Sequence, residues 1–85
     1  MPQISFFYGI YIWMNYVDHN PPHFHAWYGD YKIIVNIQDG SIKGEMPARA
    51  ENMILEWLEL HKEELLENWE KAQNGMPLTK INPLR

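Results

Sequence analysis

His19, His23 and His25 lie within seven positions of an 85-residue chain that has four histidines in all. Imidazole is the side chain that titrates nearest neutrality and a common ligand for zinc-type ions. The stretch DHNPPHFHAWYGDYK, Asp18 to Lys32, therefore admits three chemistries. In the first, His19, His23 and His25 ligate zinc or a similar divalent ion as cofactor, and Asp18 supplies a carboxylate that completes the shell. In the second, His23 and His25 form a ribonuclease-like acid–base pair, with Lys32 or Arg49 as the cation that stabilises a phosphate in its transition state. The third is structural: the two histidines cap the start of a strand, and Pro21-Pro22 directs the chain into it.

An aromatic group accompanies the histidines. Tyr11, Trp13 and Trp27 are expected to gather on an exposed face beside them, and large amphipathic rings of this kind suit a recognition surface. His61, Trp57 and Trp69 fall on a helical apolar stripe and are expected in or beside the core.

Composition narrows the options. The chain has no cysteine, which excludes a disulfide framework and any thiolate metal site. A formal net charge of −4 argues against a broad DNA-coating surface, since non-specific affinity needs clustered Lys and Arg; a local RNA contact stays open. The opening MPQISFFYGI has no basic leader, and the aromatic-rich run to Val17 is broken by Gly9 and Asn15. Neither a signal peptide nor a membrane span is expected, and the protein is expected to be soluble and cytoplasmic.

The elements that position these residues follow from periodicity. Ile10, Ile12, Met14 and Tyr16 alternate with Tyr11, Trp13, Asn15 and Val17, which predicts a strand with bulk on both faces. Gly29-Asp30 predicts a two-residue hairpin turn. That turn sets Tyr28 opposite Tyr31, Ala26 opposite Ile33 and Phe24 opposite Val35 on the core side. It sets Trp27 opposite Lys32, His25 opposite Ile34 and His23 opposite Asn36 on the other. Asp39-Gly40 predicts a second hairpin, pairing Ile37 with Ile42.

Pro47 suits the first position of a helix, and Asn74-Gly75 with Pro77 reads as its stop. An unbroken helix between them would be about 40 Å long, against a radius of gyration of about 12 Å for a globular chain of this size. A bend near His61-Lys62, or protrusion of the second half into a partner, is therefore expected. The tail MPLTKINPLR reads as an extended strap.

The result is a single α+β domain spanning residues 1–85: an antiparallel meander of three to four strands over about residues 4–46, a helix or helix pair over 47–74, and a strap over 75–85.

Several blocks then carry a resemblance. MPQISFFYGIYI, DHNPPHFHAWYGDY, MPARA and EWLELHKEELLENWEKAQNGMPLTKINPL resemble, over nearly the whole length, a bacterial family of unknown function, DUF4160. What the resemblance implies is a stand-alone bacterial protein whose gene often neighbours one of a second small family, DUF2442, in a toxin–antitoxin-like pair. On that basis the expected role is a small interaction domain with a neighbour-encoded partner or a second copy of itself. A histidine-centred ribonuclease-like toxin and a non-catalytic metal-binding regulator are the alternatives.

Overall fold

The computed structural model describes residues 2–85. Five strands run in order β1 (Gln3–Phe7), β2 (Ile10–Trp13), β3 (His23–Tyr28), β4 (Tyr31–Asn36) and β5 (Ile42–Gly44), and one helix, α1 (Ala48–Gln73), follows them. The sheet is an antiparallel meander in which sequence neighbours are spatial neighbours throughout. It has one strand more than the sequence led us to expect. The fifth is β1, whose alternation is obscured by a bulge between Gln3 and Ser5 that buries both Ile4 and Ser5.

The hairpin at Gly29-Asp30 has the expected register at all six pairs, from Tyr28 opposite Tyr31 to His23 opposite Asn36. Ile10, Ile12, Phe24, Ala26, Ile33 and Val35 thus face one way and are buried. Trp57 of α1 plugs this layer, with its ring centroid 5.3 Å from Phe7 and 5.7 Å from Phe24.

Two expectations are corrected. The strand predicted to reach Val17 stops at Trp13, and the chain turns at Tyr16-Val17, where Val17 takes a left-handed φ of 49°. The second hairpin pairs Val35, not Ile37, with Ile42. Its turn is longer because the Asn36 Oδ1 accepts hydrogen bonds from the Gln38 and Asp39 amides at 2.8 and 3.2 Å, closing a local turn before Gly40. Ile37 leaves the ladder and fills the core instead.

α1 bends at His61, the first of the two outcomes that the length argument allows. His61 has non-helical dihedrals (φ −126°, ψ 21°) and splits the helix into two arms, and the chain has a radius of gyration of 11.6 Å. The His61 Nδ1 lies 2.7 Å from the Glu64 Oε1, and its ring rests 5.6 Å from Trp57. Beyond α1 the strap runs along β1. The Ile81 amide donates to the Ile4 carbonyl at 2.8 Å, and the Ser5 hydroxyl donates to the Ile81 carbonyl at 2.9 Å. Among the described residues, no helix is long and apolar enough to cross a membrane.

Candidate metal centre

The loop between β2 and β3 crosses one end of the sheet and is tied to the far end of α1. The Val17 amide donates to the Ala72 carbonyl at 3.1 Å, and the Gln73 side-chain amide donates to the Asp18 carbonyl at 3.0 Å. Asp18 is thereby held over the start of β3. His23 and His25 are two apart on that strand and so emerge on the same face.

The three side chains converge. One ligand atom from each of Asp18, His23 and His25 lies within 4.8 Å of the other two. The His23 Nε2 is 3.0 Å from the Asp18 Oδ2. The His25 Nε2 is 3.6 Å from the same oxygen, near enough for attraction but beyond hydrogen-bonding reach. Ligands about 2.0–2.1 Å from a tetrahedral zinc-type ion stand about 3.3 Å from one another. The two histidine–aspartate separations bracket that spacing.

The protonation pattern points the same way. The His23 Nδ1 is 2.8 Å from the Pro21 carbonyl, which can only accept, so Nδ1 carries a hydrogen. The remaining nitrogen, Nε2, faces a carboxylate. It satisfies that neighbour either with a second proton or by giving its lone pair to a cation shared with Asp18. A carbonyl on the far nitrogen is the arrangement that fixes the tautomer and orientation of metal-bound histidines.

His25 is a different case. Its Nε2 is buried and has no hydrogen-bond partner among the described residues. Burial lowers its pKa, the proximity of Asp18 works against that, and the His23 ring lowers it further; the net shift is downward from 6.5. A neutral imidazole in the tautomer that leaves Nε2 unprotonated offers that nitrogen to a metal without losing a proton. Burial acts to raise the Asp18 pKa but is outweighed, first by the His19 amide that donates to its Oδ1 at 2.8 Å and then by His23 and His25. Asp18 therefore stays ionised to lower pH than an ordinary aspartate.

The sequence candidates separate accordingly. His19 contributes its backbone amide to Asp18, while its side chain is exposed and outside the converging group. Asp18, His23 and His25 form the group. Lys32 lies on the same sheet face with its Nζ 5.2 Å over the Trp27 ring. Arg49 lines a separate cleft with Tyr8, Tyr28, Glu56 and Arg85, which shares no residue with the cleft beside the histidines.

Of the aromatic face, Tyr11 is 47 % exposed, but Trp13 is only 8 % exposed, against the expectation. Its indole is covered by the His25 ring, stacked at 4.1 Å and 11°, and by the edge of Trp27 at 5.1 Å. Two residues of this face escaped the sequence reading. Phe6 pairs with Tyr11, and Lys43 pairs with Ile34; the first was hidden by the β1 bulge and the second by the misjudged second hairpin.

These features define a small α+β domain whose one convergent cluster of metal-type donors, among the described residues, lies where the β2–β3 loop crosses the sheet. The family model for the domain of unknown function DUF4160 matches residues 8–70, and the chain belongs to that family. No curated protein and no solved structure matches it.

Proposed function

We propose that this domain binds a divalent first-row transition ion of the zinc type through the Asp18 carboxylate and the His23 and His25 imidazoles. The observation that carries the reading is the convergence of these three groups around a buried, unpartnered His25 Nε2. Two imidazoles and one carboxylate suit zinc, iron, nickel or manganese rather than the all-oxygen shells of calcium and magnesium. Three protein ligands leave at least one position for water or a further ligand. The recognition surface expected on Tyr11, Trp13 and Trp27 has Trp13 only 8 % exposed, whereas the three metal-type donors converge.

The test is titration of untagged, chelator-stripped protein with Zn²⁺ by calorimetry, and with Co²⁺ by its visible absorption. One equivalent should bind. Asp18→Asn, His23→Gln and His25→Gln should each weaken binding by at least about 10- to 100-fold, and His19→Gln should leave it unchanged. Binding that survives all three substitutions, or uptake well below one equivalent, refutes the reading.

A further inference from the structure

The face of the sheet turned away from α1 has an ordered composition. Pairing across the strands sets Phe6, Tyr11, Trp27 and Lys32 in one row. The adjoining row runs Trp13, His25, Ile34 and Lys43. Phe6 and Tyr11 are about half exposed and their rings meet at 4.6 Å. Trp13 and Trp27 form a wall between two depressions: one of about 320 Å³ beside Tyr11, and one of about 480 Å³ that reaches Lys32 and Lys43.

The Trp13 Nε1 is a buried donor with no acceptor among the described residues. Because that nitrogen is also sealed from solvent, Trp13 serves this face as a wall of the depressions and not as a hydrogen-bond donor to a ligand.

Charge is divided between the two layers. Seven of the eleven carboxylates lie on α1, and none of the five strands carries Asp or Glu. The strands carry Lys32 and Lys43 instead. α1 alone carries a net charge of −4, equal to that of the whole chain, and the strands contribute only the two lysines to the aromatic face, with the Asp18 carboxylate beside His25 at its edge.

Aromatic rings on neighbouring strands stand about 4.8 Å apart, which lets successive bases stack, and lysines at the rim can meet the phosphates between them. An aromatic sheet face with flanking cations is a general platform for unpaired bases. Two lysines are too few to hold a duplex by its phosphates.

We propose that this outer sheet face, across Tyr11, Trp13, Trp27, Lys32 and Lys43, binds single-stranded nucleic acid. The face adjoins the proposed metal site through His25, but the inference needs no ion and is tested with chelator present.

The probe is a fluorescein-labelled RNA single strand of mixed sequence and about 10 nucleotides, followed by fluorescence anisotropy. Binding should show a shallow salt dependence, with a log–log slope of about −1.4 for two phosphate contacts. Trp27→Ala should weaken it about 5- to 150-fold. Tyr11→Ala, at a half-exposed position, tests stacking independently of any effect of the tryptophan on folding. Lys32→Glu combined with Lys43→Glu should abolish binding, and Lys62→Glu on α1 should not affect it. The proposal is overturned if folded protein gives no anisotropy change at low salt, if duplex binds as well as single strand, or if the face variants bind like the wild type. It is equally overturned if light scattering shows a homodimer that Lys32→Glu dissolves, because the face is then taken by a second copy.

Discussion

The rings of Trp13 and His25 stack at 4.1 Å with only 11° between their planes, so an indole rests directly on one of the three proposed metal ligands. Protonating His25 places a positive charge on that indole, which quenches its emission. Fluorescence should therefore fall on acidification with a midpoint below pH 6.5, because burial lowers the His25 pKa. Zn²⁺ should shift the transition to still lower pH by competing with the proton. Spectra of the wild type and of Trp13→Phe, compared over the same titration, check both statements.

Stability should depend on pH in one direction. His25 is depressed below 6.5, so the unfolded chain binds a proton that the folded state does not. Its contribution is complete above pH 6.5 and is lost as pH falls through the folded-state value. Asp18, net-depressed below 3.8, contributes above pH 3.8 and loses its share lower still. Thermal unfolding of metal-free protein, followed from neutral pH to about pH 3, should show both steps. His25→Gln should remove the upper step and Asp18→Asn the lower.

Gly44 and Gly29 should differ sharply on substitution. Both have positive φ, but a Cβ at Gly44 would lie 2.5 Å from the Lys32 carbonyl oxygen, while one at Gly29 meets nothing within 4 Å. Gly44→Ala should cost about 2–4 kcal/mol. Gly29→Ala should cost only the left-handed backbone penalty of about 1–2 kcal/mol. Urea denaturation of the two variants measures the difference.

Asn68 is buried, and its side-chain amide makes two 2.8 Å hydrogen bonds to the backbone of Thr79, one in each direction. Asn68→Ala would leave both strap groups without that partner and should lower stability by about 1–3 kcal/mol. Asn68→Asp would bury a carboxylate oxygen against the Thr79 carbonyl and at neutral pH should cost at least as much as the alanine variant. Chemical denaturation gives the order.

The β3–β4 hairpin was legible in full because a two-residue turn at Gly29-Asp30 sets every pair once one is fixed. Length against compactness asked for a bend near His61-Lys62 or a second half protruding into a partner, and did not choose between them. β1 was not legible, because a bulge cancels the period-two signal on which strand recognition rests. For the site, spacing predicted that His23 and His25 share a face. The choice of Asp18 over His19 as a strong member of the cluster depends on the loop being tied to Ala72 and Gln73, 55 residues apart in sequence for the Asp18–Gln73 pair. Burial of Trp13 was equally beyond reach, since the lid over it is His25 from the adjacent strand.

The bend at His61 divides α1 into arms of residues 48–60 and 62–73, each no longer than the length at which an isolated helix is marginal. The distal arm takes its order from what it touches, and its last turn is hydrogen-bonded to the segment that bears Asp18. Loop and distal arm should consequently open as one unit that leaves the proximal arm closed. An ion held by Asp18 would then act as a latch on a helix it never contacts. Hydrogen exchange should show it: amides of 62–73 slowing together on Zn²⁺ addition, with those of 48–60 unmoved.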